Sequence, residues 1–495
     1  MGDRKNKVNG SNAWLYPIVI TISLILISFV TVFVGLPQGL IVASIPMVLL
    51  LIGGVISSPF AGFVVLFILN YFVVILMRYS GVSGLSVLID VMIVMILISI
   101  SLNAAFATSK ESRKNHAPLS NGLILVSVIW AIYCGLELLN PSAMTSMWVL
   151  NRNLSVYMLL VAVATFLSFK TFRNIQTIIM ILSVLTLIGI AKALMQKYLG
   201  FDAYEQRLLD SGLADTHLLF SGIRFFSIYV SAGIFGAVMG HAMVVFSIVA
   251  LYEKGIGRRI YFIVVALASL YGMLISGTRG ALAVPLAGFF LFALLSKQFR
   301  LMVPTVVVLL GVYIFLAMTT IGQSNATIRR MRTAFDPNEP SLMVRKANKK
   351  LFAEYLADKP FGEGLGLSGV DVQSVSMRYT TSIPTDSWFV KIWVETGIVG
   401  LCLHIAILAY IVLYGSYLIL FKIRNRQLRG VLSALLCGVF GIIASSYGNQ
   451  VLGQFPVSVV VYMSMALVFM GKYFDRQLEV DDNVARLGDI KMLTE

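Results

Sequence analysis

Three arginines and one aspartate, set far apart in the chain, have the side-chain types needed to hold a phosphorylated ligand and move a proton beside it: Arg224, Arg279, Arg345 and Asp386. Guanidinium groups grip phosphate oxygens through paired hydrogen bonds and keep their charge at any physiological pH. Arg279 lies in Ser276-Gly-Thr-Arg-Gly280, a very short turn between two apolar runs. There it either snorkels to lipid headgroups or points at an anionic ligand, and the flanking glycines, which allow close approach, favour the ligand. Arg224 holds a similar place, just before the apolar stretch that begins Phe225-Phe226-Ser227. Arg345 opens a cationic helix, where backbone N–H groups also favour an anion. Three such arginines form a clamp for a diphosphate and could carry the charge of a departing one without a metal ion.

Asp386, in Pro384-Thr-Asp-Ser-Trp-Phe389, could act as a general base on a hydroxyl group. It could equally cap the helix that follows, and the two roles are compatible. Pro340-Ser341 and the residues up to Pro360 read as a helix, with Ser341 as N-cap and Leu342, Ala347, Leu351, Tyr355 and Phe352 as the buried side. Its Lys346, Lys349 and Lys350 are either further ligands or a solvated face resting on anionic headgroups. Glu395, about two turns inside the next apolar run, is a further candidate substrate ligand and needs a partner at that depth, for which Lys391, one turn away, is placed. Asp90 and Glu137 stand at outer span ends and could line the same cavity. Asn449, Gln450 and Gln454 form a polar turn that either hydrogen-bonds a sugar or satisfies helix ends. The glycine-rich run Phe361-Gly-Glu-Gly-Leu-Gly-Leu367 reads as a bend that brings backbone close to backbone rather than as a phosphate cradle. No Asp-x-Asp pair or His/Cys ligand set lies on this face, so neither a metal nor another cofactor is expected. His217 is the one outward histidine, and its role is open.

What must position these side chains is a membrane bundle. The 495 residues are 58% hydrophobic and 12% charged, which excludes an ordinary soluble domain. The apolar runs are continuous rather than alternating, which excludes an outer-membrane barrel. The expected fold is an all-α polytopic membrane protein of about fourteen spans. These fall near 14–35, 39–57, 60–78, 84–108, 119–139, 154–169, 174–196, 225–252, 260–276, 280–296, 301–321, 388–421, 430–449 and 455–471. The first run follows a basic start (Arg4, Lys5, Lys7) and reads as a retained signal anchor. The expected organisation is an amino-terminal bundle over 1–321, a large polar loop over 322–387, carboxy-terminal helices over 388–471 and an acidic tail over 472–495.

Lys and Arg set the orientation. Lys110/Arg113/Lys114, Lys170/Arg173, Lys254/Arg258/Arg259, Lys297/Arg300, Lys422/Arg424/Arg426/Arg429 and Lys472/Arg476 all fall on one side of the alternating spans. By the positive-inside rule that side is cytoplasmic, with both termini. The segments 197–224 and 322–387 then lie outside, and loops of that length escape the charge rule. The net charge of +15 therefore marks loops and anion sites rather than a nucleic-acid partner. Cys134, Cys402 and Cys437 all lie in apolar runs and offer no disulfide framework.

Ser276-Gly-Thr-Arg-Gly280 ahead of a large outer loop, then Asp358-Lys-Pro-Phe-Gly-Glu-Gly-Leu-Gly366, then Asp386-Ser-Trp-Phe-Val390 with Trp393-Val-Glu-Thr-Gly-Ile-Val-Gly400, resemble the O-antigen ligase and polysaccharide polymerase family of bacteria. The segment Arg224-Phe-Phe-Ser-Ile-Tyr-Val-Ser-Ala-Gly233 is similar to that family's arginine before a glycine-containing span. The resemblance implies a multi-span, GT-C-like, metal-independent glycosyltransferase. Such an enzyme works at the periplasmic face of the inner membrane on glycans carried by undecaprenyl diphosphate. It also implies diphosphate binding by Arg279 and Arg345. Asp386 stands where many members, the ligases especially, carry histidine, and Ser387 replaces the asparagine that often follows. That departure favours a polymerase, with a chain-length regulator protein as a further partner. The reaction class is unchanged, since aspartate also serves as a base. The alternatives are a ligase delivering glycan to a lipid A-core acceptor, a lipid-linked oligosaccharide flippase, and a peptidoglycan glycosyltransferase of the shape-and-division family. A flippase would be expected to show related halves and ionisable residues along a central path, whereas this chain gathers its polar residues on one face.

Overall fold

The computed structural model describes residues 53–82, 84–106, 119–219, 222–336 and 339–480. The first expected span with its basic start, most of the second, the loop cations Lys110, Arg113 and Lys114, and the tail beyond 480 lie outside the described residues. The main helices are α1 (Pro59–Ser80), α2 (Val87–Phe106), α3 (Gly122–Leu136), α4 (Tyr157–Ser168), α5 (Phe172–Tyr198), α6 (Ala232–Tyr252) and α7 (Ile256–Ile275). They continue with α8 (Ala283–Leu295), α9 (Phe299–Met318), α10 (Ala326–Arg332), α11 (Pro340–Tyr355), α12 (Trp388–Tyr417), α13 (Arg426–Ser445) and α14 (Val457–Phe469).

Each expected span inside the described residues coincides with a helix, although not each helix is long enough to cross a membrane by itself. Among the described residues, eight helices are long and apolar enough to cross a membrane, or nine if the bent pair Val457–Phe469 and Gly471–Val480 is one span. The segments Val87–Asn103, Tyr157–Ser168 and Arg279–Leu295 are apolar but shorter. The limits 225–252 need correction: the helix starts only at Ala232 with Ser231 as N-cap. Residues 225–231 are apolar because most of them are buried, but Ser227 has φ of 54°, a left-handed conformation that no helix continues through.

The interior is built on α6, α13 and α14. The apolar stretch of α6 is 83% buried and that of α13 78%, whereas α9 is 6% buried and lies at the periphery. All residues of α14 are buried. Small residues let these helices touch: a Cβ on Gly240 would lie 3.0 Å from Val284 Cβ, and one on Gly441 2.5 Å from the Val284 carbonyl oxygen. The start of α8, and Arg279 just before it, is thereby pressed against α6 and α13.

α12 is broken at Gly397 (φ 66°, ψ −173°). A break of this kind leaves helix carbonyls without donors. Here the glycine-rich turn supplies them: Glu363 N–H donates to Val394 O at 2.9 Å and Gly364 N–H to Glu395 O at 3.0 Å, while Val399 N–H donates to Pro360 O at 3.3 Å. A Cβ on Gly362 would sit 2.5 Å from Gly397 N, and one on Gly397 would run into the Pro360 carbonyl. The run holds a helix break together rather than cradling a phosphate. Glu363 fixes it from the side, bonded to Lys359 at 2.5 Å, Tyr355 at 3.0 Å and Arg378 at 3.2 Å.

The loops sort to opposite ends. Gln176, Glu253, Arg258 and Gln427 share one small cavity, and Tyr473 donates to the Lys170 carbonyl at 3.2 Å. The segments carrying Arg224, Arg279, Arg345, Asp386 and Asn449 meet at the other end.

Candidate functional site

At that end lies an open cavity of about 590 Å³ walled by Arg224, Arg279, Arg330 and Arg345, with Asp386 and Asn449. Three of the four arginines are those the sequence singles out. Each arrives on a different element, and each is held differently.

Arg224 follows a minimal hairpin in which β1 (Leu218–Leu219) pairs antiparallel with β2 (Gly222–Ile223), Leu218 opposite Ile223. Its backbone N–H donates to His217 O at 2.8 Å, and its guanidinium donates to Thr216 O at 2.9 Å and Thr278 Oγ1 at 3.0 Å. The next residues are pinned from beneath. Arg78 donates to Ser227 O at 2.7 Å and Tyr229 O at 2.5 Å, Gln196 accepts from Ser227 N–H at 2.8 Å, and the Ser227 hydroxyl donates to Gly189 O at 2.5 Å. These bonds hold the left-handed Ser227 and so fix where Arg224 leaves the bundle. Its Nε–H is buried with no acceptor among the described residues. His217 is buried and accepts from Ala232 N–H at 3.4 Å, a structural role that fills the position left open for it.

Arg279 begins a short 3-10 turn, Arg279–Leu282, after Gly277, whose φ of 59° reverses the chain out of α7. Its guanidinium donates to Thr333 Oγ1 at 3.0 Å and Ser341 Oγ at 2.8 Å and pairs with Glu339 at 2.5 Å. Arg330, on α10, donates through Nε to Gly277 O at 2.5 Å, the backbone of the same turn.

Arg345 lies on α11, whose true register corrects the expectation. The N-cap is Glu339, which accepts from Leu342 N–H at 3.0 Å, and not Ser341. The packed side is Phe352 and Leu356 with Tyr355, set against Ile383 and Val394, while Ala347 and Leu351 are exposed. Arg345 is two turns before Phe352 on this inner face. Lys346 and Lys349, one and four residues on, point to solvent and do not line the cavity.

Asp386 Oδ2 lies 3.7 Å from Arg345 Nε. It is not a helix cap: Ser387 occupies the N-cap position of α12 and makes no capping bond. The end of α12 is tied instead by Trp388 N–H donating to Ser446 O at 3.0 Å. Two further expected ligands stay away from the cavity. Glu395 is fully buried, bonded to Ser368 at 2.7 Å and paired with Lys391 at 3.3 Å, so its charge fastens the glycine-rich turn to α12. Gln450 turns back to Thr385, donating to its Oγ1 at 2.8 Å and to its carbonyl. Its neighbour Asn449 lines the cavity in its place. Asp90 and Glu137 are also elsewhere: Asp90 pairs with Arg152 at 2.6 Å, and Glu137 lines a separate groove.

The arginines lie close enough to act on one another. Burial, then the charges of Arg330, Arg279 and Arg345, bring the Arg224 pKa down to about 10. It stays protonated at neutral pH, but its neighbours repel it across the cavity. Arg330 is lowered for the same reasons, burial and then Arg279. Four carboxylates, Asp215, Asp336, Glu339 and Asp386, also line the wall. Glu339 is committed to Arg279. Partial burial raises the pKa of the Asp386 carboxyl, against the pull of Arg345. Leu219, Leu282, Leu286 and Phe335 give the same cavity an apolar side. No group of three or more His, Cys, Asp or Glu placed to hold a metal occurs among the described residues.

Arg330 was out of reach of sequence reasoning, since Arg329 and Arg332 fall on the same short helix and look no different. Only packing shows Arg329 exposed and Arg332 turned back to donate to Ile321 O.

Residues 262–405 match the family model described as O-antigen ligase. No curated protein matches the chain. The matched stretch runs from α7 into α12 and carries Arg279, Arg330, Glu339, Arg345 and Asp386, while Arg224 and Asn449 lie outside it. Together with the apolar helices it fits a multi-pass membrane protein with an O-antigen ligase- or polymerase-type function.

Proposed function

We propose that this chain is a metal-independent glycosyltransferase that polymerises oligosaccharide repeat units carried on undecaprenyl diphosphate, at the periplasmic face of the inner membrane. The observation that carries this reading is the convergence of four guanidinium groups, each from a different element, on one cavity that also has an apolar side. A diphosphate suits the guanidinium groups, and a polyprenyl chain suits the apolar side. The positive-inside pattern supports a periplasmic setting, because the arginine-walled end is opposite the short loops rich in Lys and Arg.

In the proposed reaction Asp386 accepts the proton of an acceptor hydroxyl as that oxygen bonds to the anomeric carbon of the donor sugar. The bond from that carbon to the diphosphate oxygen breaks, and the electron pair leaves on the diphosphate. Arg224, Arg279, Arg330 and Arg345 stabilise the charge gathering there. Asn449 is placed to hydrogen-bond a sugar. A chain-length regulator protein is a further partner in this reading.

The description of the matching family model favours a second reading, a ligase that passes the glycan to a lipid A-core acceptor. Incubating the purified chain with a radiolabelled lipid-linked repeat unit separates these. A ladder of longer lipid-linked products supports the polymerase. Label moving to a separate glycolipid supports the ligase. Transbilayer movement without a new glycosidic bond contradicts both and supports a flippase.

A further inference from the structure

The cavity contains one carboxylate whose bonds lead to two of its arginines. Glu339 Oε1 pairs with Arg279 at 2.5 Å, while Oε2 accepts from the Ser341 hydroxyl at 2.5 Å and from Leu342 N–H at 3.0 Å. The Ser341 hydroxyl in turn accepts from Arg279 at 2.8 Å, which closes a ring of three side chains. Arg279 uses Nη1 for Thr333 and Glu339 and Nη2 for Ser341, so these partners grip the far end of the guanidinium. Its Nε–H and one Nη2–H form the side-on edge, the geometry that suits a bidentate phosphate contact. Glu339 is also the N-cap of α11, and Arg345 follows six residues later, roughly 9 Å along the helix axis.

We infer that Glu339 is a positioning residue that sets the spacing of Arg279 and Arg345 for a ligand carrying two linked phosphates. This rests on the reading of the cavity as a diphosphate seat. A carboxylate beside an anion site would, on charge alone, weaken anion binding. Here both of its oxygens hold the frame, so its removal loosens the frame more than it strengthens the attraction for an anion. Glutamine at this position keeps the size and one acceptor for Leu342 N–H, but it turns an amide donor toward the Arg279 donors, and the ring opens.

The test is a titration of the detergent-purified full chain with inorganic diphosphate and, separately, with inorganic phosphate. Phosphate needs one arginine, whereas diphosphate needs two at a set distance. Glu339→Gln is expected to weaken diphosphate binding about tenfold, as loss of a charge-assisted bond would, and to leave phosphate binding within about twofold. Ser341→Ala, which opens the ring without removing charge, is expected to weaken diphosphate a few-fold in the same sense, and it serves if Glu339→Gln does not fold. Tighter diphosphate binding in Glu339→Gln, or parallel loss of both ligands, overturns the positioning role. If the wild type binds no diphosphate, or Arg279→Ala binds it as well as the wild type, the seat itself is refuted and the inference with it.

Discussion

Replacing Asp386 with asparagine separates chemistry from architecture. The change keeps shape and removes charge and basicity. Its structural cost is small on geometric grounds. The carboxylate does not cap α12, and its ion pair with Arg345 is 3.7 Å long, with the two side chains 41% and 38% open to solvent. Coulomb attraction at that distance in a water-like dielectric is about 1 kcal/mol, and exposed pairs realise that or less. A general base contributes roughly 10²- to 10⁴-fold, or about 3 to 5 kcal/mol of transition-state stabilisation. Initial rates of glycan extension by Asp386→Asn should therefore fall at least about a hundredfold while the melting temperature moves by a few degrees at most. Activity within about fivefold of wild type would refute the base. A rate loss accompanied by equal loss of folded protein would make Asp386 structural.

Gly397→Ala should behave in the opposite way, destabilising by about 2 kcal/mol or more or failing to yield folded protein, because its Cβ meets the Pro360 carbonyl and its φ is left-handed; detergent thermal melts read this directly. Lys346→Gln and Lys349→Gln, on the solvent side of α11, should each keep extension rates within about twofold. Arg345 favours the charged form of Asp386, so Arg345→Gln should raise the carboxyl pKa further and move the acid limb of the residual pH–rate profile to higher pH, whereas Arg345→Lys should restore its position.

The membrane class, the helix positions and three of the four cavity arginines could be read from residue types and breakers, because spanning segments need long apolar runs and glycine-flanked arginines stand out against them. The finer placements could not. Residues 225–231 extend the apolar run of the helix they precede, and only the bonds from Arg78 and Gln196 show that Ser227 is held in a turn. Lys346 and Lys349 carry the same charge as Arg345 and sit beside it in the sequence; which of them faces the cavity is decided by Phe352 and Leu356 packing against Ile383 and Val394. Glu395 found the partner expected for a buried carboxylate, Lys391, and that pairing, with Ser368, removes it from the cavity. Ser341 is the favoured N-cap type and Glu339 is not, so residue type points to the wrong position; Arg279, which engages both side chains, lies far upstream in the chain.

The central claim is tested most directly by saturable binding of an undecaprenyl-diphosphate lipid to the full chain in nanodiscs, competed by inorganic diphosphate. Arg279→Ala and Arg345→Ala should each weaken the lipid at least about tenfold, as loss of a charge-assisted contact would, and abolish the competition. Equal lipid affinity in the wild type and in both variants would contradict a diphosphate seat built from these arginines.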